Sequence, residues 1–185
     1  MQLNGVRLPL RHARDGAGME SGERMALSLR DSVHLVSDPA NLDASVDEVF
    51  GMMLGVECKR IAKEEFGQLE SMTAVIGFGG LLSGACVLRC GAEEALVIAS
   101  RLTGIDCESL DDTVKDGIGE MCNMLAGTWK SKVPELAAHC GLSVPAVITG
   151  RDYELHVQAP EFQLRHTYAF EGTNFEVMIV CDGIQ

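Results

Sequence analysis

The chain has 185 residues, 46% hydrophobic and 23% charged, which is enough apolar material for one packed domain. Its formal net charge of -12 opposes phosphate backbones and anionic lipid headgroups, so neither nucleic acid nor a membrane is expected as a partner. No apolar run reaches the roughly 18–20 residues of a membrane span, and no secretory signal pattern opens the chain.

Residues 1–30 differ from the rest. "MQLNGVRLPLRHARDGAGMESGER" mixes Arg7, Arg11 and Arg14 with glycine and has no period, so it is expected to be a disordered leader, with Met19 or Met25 as alternative starts. One domain is expected over 31–185. "LSLRDSVHLVSDP" reads as an extended arm ending at Pro39. "NLDASVDEVFGMMLGVECKRIAKEEF" reads as a helix capped by Asn41 or Asp43, with Val46, Val49, Phe50, Met53, Leu54 and Cys58 at helical spacing. "MTAVIGFGG" and "LLSGACVLRC" read as a β-hairpin.

"GAEEALVIASRLTG" follows as a short helix stopped by Gly104. "SLDDTVKDGIGEMCNMLAGTWKSKVPEL" is a long helix opened by Ser109 or Asp111 and interrupted near Pro134. The remainder reads as strands: "LSVPAVITG", "YELHVQ", "FQLRHTYAFEG" and "NFEVMIVCDG". Closely spaced strands favour antiparallel pairing. The expected fold class is therefore α+β, a two-layer domain with a largely antiparallel sheet of five or six strands and two long helices on one face.

The seven cysteines, Cys58, Cys86, Cys90, Cys107, Cys122, Cys140 and Cys181, are scattered among apolar neighbours. That pattern suits buried free thiols in a reducing compartment, so a cytoplasmic protein is expected. Without a C-x-x-C or C-x-x-H pair, no metal site is expected. His34, His139, His156 and His166 are isolated and read as surface or satisfied core.

The informative stretch is "DGIGEMCNMLAG", Asp116 to Gly127. With about 100° of turn per residue, Cys122, Leu125 and Trp129 fall within about 40° of Ile118 and form an apolar stripe. Asp116, Glu120, Asn123 and Gly127 fall within about 40° of the opposite pole. A solvated face is the plain explanation. Against it, Gly117, Gly119 and Gly127 each cost the helix about 1 kcal/mol relative to alanine, and asparagine is a weak helix former. On this reading the small Gly119 and Gly127 keep the surroundings of the polar row low.

The spacing of Asp116, Glu120 and Asn123, with Pro145 downstream and "VPAVITGRD" after the helix, resembles the signature of the CheC/CheX chemotaxis phosphatases. The order of elements is similar too, over about residues 31–182. Some relatives carry the motif twice. Here the first helix has Glu48 followed by Gly51 where an asparagine would be needed, so the chain is most similar to the single-motif, CheX-like members.

The resemblance implies that the substrate is the aspartyl phosphate of a phosphorylated CheY-like receiver domain. It also implies that Glu120 and Asn123 are the catalytic pair. Asn123 would position the attacking water and Glu120 would pair with the regulator's active-site lysine. Asp116 and Gly127 would belong to the partner-binding surface. No cofactor of its own is implied, because the regulator supplies Mg2+. A homodimer is implied as well, formed partly by pairing of edge strands. The alternative is a non-catalytic, flagellar-switch-like module that binds a regulator without hydrolysing it. An intact Glu120/Asn123 pair favours the enzyme.

Overall fold

The computed structural model describes residues 33–62, 71–151, 153, 156 and 159–184, so the expected leader at 1–30 lies outside the described residues. In chain order the elements are α1 (Val33–Val36), α2 (Pro39–Leu54), β1 (Lys59–Ile61), β2 (Ser71–Gly80), β3 (Leu82–Gly91), α3 (Ala92–Thr103), α4 (Asp112–Ser131), α5 (Pro134–His139), β4 (Cys140–Leu142), β5 (Ala146–Gly150), β6 (Phe162–Phe170) and β7 (Thr173–Ile184). Among the described residues every pairing is antiparallel, in the order β1-β6-β7-β3-β2-β4, and β5 also pairs with β2. The seven described strands thus fill six positions, because β4 and β5 share one edge.

The start of the domain departs from the sequence reading. Val33–Val36 is a helical turn where an extended arm was expected. Pro39 opens α2 instead of ending the arm. Its fixed φ suits the first turn of a helix, and the Asp38 side chain caps the helix by accepting from the Ala40 amide at 2.9 Å. Asn41 and Asp43 are therefore interior residues of α2.

The far end of α2 also differs. The helix stops at Leu54 because Gly55 adopts a left-handed conformation, φ 68°, and its amide closes on the Gly51 carbonyl. "KRI" beyond it is a short edge strand rather than a continuation of the helix. Val46, Val49, Phe50 and Leu54 are buried as expected, whereas Met53 and Cys58 are only half-buried.

The hairpin, the short helix stopped by left-handed Gly104, and the long helix opened by Asp111 agree with the sequence reading. At the hairpin turn Gly80 has φ 115°, and a Cβ there would stand 2.2 Å from the His139 carbonyl oxygen, so only glycine lets α5 end so close to the turn. "YELHVQ" falls largely outside the described residues, and its two described members, Tyr153 and His156, are not in a strand.

All the longer helices share one apolar core with a single face of the sheet. Phe50 of α2 stacks on Phe175 of β7 with ring centroids 4.2 Å apart, and Trp129 of α4 meets Phe78 of β2 at 5.2 Å. The outer face carries a smaller buried group, Val87, Met178 and Val180, with Val75 against it. Beside this group the buried Glu176 carboxylate takes two hydrogen bonds from Arg165, at 2.8 and 2.9 Å. Among the described residues no helix is long and apolar enough to cross a membrane.

Candidate functional site

Helix α4 is held on three sides and open on the fourth. Beneath it, Ile118, Cys122, Leu125 and Trp129 are all at most 1% exposed, as the apolar stripe requires. The Cys122 thiol lies 3.6 Å from the carbonyl oxygens of both Ala74 and Cys86 and binds the helix to β2 and β3. A hydrogen bond between the Cys86 and Cys122 side chains, then burial, holds the Cys86 thiol well above the ordinary range. The N-terminus is fixed by Asp111, whose carboxylate accepts from the Val114 amide at 3.1 Å.

The flanks are set by two glycines that lie about 100° to either side of Ile118. A Cβ on Gly117 would stand 3.5 Å from Leu102 and 3.7 Å from Ala99, so this residue lets α3 lie close alongside. A Cβ on Gly119 would stand 3.4 Å from Val147 and 3.5 Å from Pro145, so β5 and the corner before it close the other flank. Gly119 is buried, and its role is to seat Pro145 rather than to keep the polar face low as the sequence suggested. Gly127 differs from both, since a Cβ there would meet nothing within 4 Å.

The fourth side carries the polar row. Asp116 and Glu120 are exposed, Asn123 and Gly127 are half-buried, and the Asn123 amide nitrogen donates to the Glu120 carboxylate at 3.4 Å. This contact fixes which end of the amide faces outward. With its nitrogen turned toward Glu120, Asn123 can offer its carbonyl oxygen to a water. Pro145, too distant in sequence for any helical wheel, stands against Gly119 next to Glu120. The structure therefore brings Asp116, Glu120, Asn123, Gly127 and Pro145 to one side of the molecule.

Two features were not visible in the sequence, the ties of Lys130 and of Glu48, whereas the histidines agree with their reading as surface or satisfied core. Lys130, which lies off the polar face, donates to the carbonyl oxygens of Ala137 and Cys140 at 3.2 and 2.7 Å and fastens the last turn of α4 to α5 and β4. Glu48, the glutamate of the incomplete motif on α2, is bound by Lys132 at 2.5 Å, so its carboxylate belongs to the contact between α2 and α4. His166 is a satisfied residue, since its Nδ1 lies 3.1 Å from the Asp43 carboxylate, which also accepts from Tyr168 at 2.7 Å. His34, His139 and His156 are exposed. Among the described residues no group of three or more His, Cys, Asp or Glu side chains converges as metal ligands would.

Comparison with known proteins bears on this constellation. Residues 72–167, more than half of the chain, match the family model described as chemotaxis phosphatase CheX. A protein from Thermotoga maritima named CheY-P phosphatase CheX is 31% identical over 118 residues, which is 62% of this chain and 76% of that protein. The crystal structure of chemotaxis protein CheX from Vibrio vulnificus superposes with a TM-score of 0.66 at 20% identity, covering 79% of this chain and 97% of that one. A CheX-CheY-BeF3-Mg2+ complex from Borrelia burgdorferi matches with a TM-score of 0.63 at 21% identity, covering 78% and 97%.

Proposed function

The chain belongs to the CheX family of chemotaxis phosphatases, and we propose that it hydrolyses the aspartyl phosphate of a CheY-like response regulator with Glu120 and Asn123 of α4. The observation that carries this reading is the pair of exposed Glu120 and half-buried Asn123, joined at 3.4 Å on the open side of a helix anchored along its other three sides.

An aspartyl phosphate has a good leaving group, so the remaining task is to place a water in line with the bond from phosphorus to the aspartate oxygen. The new bond forms between the water oxygen and phosphorus, the aspartate carboxylate leaves with the electron pair, and the water's protons pass to the phosphate and to solvent. Asn123 suits the positioning step because its carbonyl accepts from the water and carries no charge to repel the phosphoryl oxygens. Glu120 pairs with the regulator's active-site lysine and sets the helix in register. Asp116 borders the same surface, and the open space above Gly127 lets the partner approach the helix backbone.

Mg2+ enters as part of the regulator's own active site and neutralises the phosphoryl oxygens there. The reading makes the protein cytoplasmic, because phosphorylated receiver domains are found in that compartment. It also includes a homodimer in which exposed sheet edges meet.

The direct test measures phosphate release from receiver domains of the source genome, phosphorylated with acetyl phosphate, with and without the purified protein. Accelerated release from at least one receiver is expected. Tight binding of a receiver without any acceleration would favour the non-catalytic interaction module instead.

A further inference from the structure

Glu120 and Asn123 account for the chemistry but give little apolar contact with which to hold a partner. The corner between β4 and β5 supplies it. Both strands pair with β2, and residues 143–145 interrupt that edge. The interruption is rigid. The Ser143 amide donates to the Gly77 carbonyl at 2.9 Å, the Gly77 amide donates to the Ser143 hydroxyl at 2.9 Å, and that hydroxyl donates to the Val144 carbonyl at 2.9 Å.

On the other side of the corner, Pro145 packs against Gly119, one residue from Glu120. Between these two clamps stands Val144, 84% exposed and the most solvent-exposed large hydrophobic side chain among the described residues. Exposed at a fixed corner, this side chain gains nothing from burial in the fold and is free to gain it from a partner.

The same corner argues against a second copy of the chain as the occupant. Pairing of a new strand along this edge needs an unbroken row of N–H and C=O groups. Pro145 has no N–H, and the irregular corner breaks the row between β4 and β5. What the corner offers is an exposed side chain next in sequence to Pro145, which itself lies against Gly119 beside Glu120.

We propose that Val144 is an apolar anchor for the receiver domain, seating in an apolar patch beside the phosphorylated aspartate and setting affinity while Asn123 sets turnover. This rests on the phosphatase reading above. The anchor makes the interface a small apolar centre with charged groups around it, the usual anatomy of a transient protein contact.

The test uses the full chain and a receiver domain phosphorylated with acetyl phosphate, and it measures KM and kcat for dephosphorylation. Val144→Ser is expected to raise KM by about fivefold or more, as loss of an anchoring side chain does, with kcat within about twofold of wild type. Val144→Ile should restore KM. Ile148→Ser provides the matched control. Ile148 is also exposed on this edge, but it pairs with Thr73, whose hydroxyl meets Tyr153 on the outer face, so it lies on the side away from α4. It should leave KM unchanged.

An unchanged KM in Val144→Ser, or an equal rise in Ile148→Ser, would overturn the anchor. So would a fall in oligomeric mass with KM unaltered, which would assign the corner to contact between copies. Wild type and Asn123→Ala run alongside keep the two readings apart. No acceleration by wild type rejects the phosphatase and the anchor together, whereas normal acceleration by Val144→Ser rejects the anchor alone.

Discussion

Glu120 and Asn123 touch each other, yet their removal should have different signatures. Glu120→Ala deletes the charge that, in the proposed complex, pairs with the partner's lysine. Binding and turnover should both weaken, and the deficit relative to wild type should shrink as salt rises from about 0.05 to 0.5 M, which screens an exposed pair. A deficit independent of salt would count against a charge contact. Gly127 gives a second test at this scale, because a methyl there meets nothing within the chain. Gly127→Ala should raise stability by up to about 1 kcal/mol through helix propensity while slowing dephosphorylation, a combination a purely structural glycine would not give. The polar row was legible in the sequence because a helical wheel needs only spacing. The separate reasons for its glycines were not. Gly117 and Gly119 answer to α3 and to Pro145, which are packing partners remote in sequence.

Helix α4 is held firmly against the sheet by its buried face. Thiols line the contact between helices and sheet, and burial pushes Cys90 up to about 12 and Cys181 up to about 11, with nearby acidic groups adding to both. An unfolded thiol loses its proton near pH 9, while these keep theirs in the folded chain. The folded state therefore binds more protons above pH 9, so stability is intact below that pH and falls as pH rises toward 11–12. The midpoint of urea denaturation should accordingly drop between pH 8 and pH 10.5, and a midpoint that stays level would contradict the burial of these groups. At the level of elements, strong local signals were readable. Gly104, Asp111 and the paired apolar runs of the hairpin each declare a boundary through backbone geometry. Helix α2 was misjudged at both ends, because Pro39 can close an extended arm or open a helix, and only the Asp38 cap decides between them. "CKRIAKEEF" continues a helical pattern on paper. The left-handed Gly55 and the β6 edge claim its first residues for a strand.

At the scale of the molecule, the sheet order β1-β6-β7-β3-β2-β4 leaves two different edges among the described residues. The edge formed by β4 and β5 is broken at residues 143–145 and lies against α4, whereas β1 is a short strand at the opposite side. Light scattering at tens of micromolar should give the mass of a dimer, and a monomer would contradict edge-to-edge assembly. The fold class could be read from element order, but sheet order and the meeting of Pro145 with Gly119 could not, since both depend on contacts across long separations. The proposed phosphatase depends on Asn123 acting on a water within another protein's active site. It is tested most directly by single-turnover dephosphorylation of a phosphorylated receiver domain by wild type and Asn123→Ala at matched, saturating concentrations. Asn123→Ala is expected to stay within about 0.5 kcal/mol of wild-type stability and still bind the receiver, yet to lose most of the acceleration. Dephosphorylation by Asn123→Ala as fast as by wild type would contradict it.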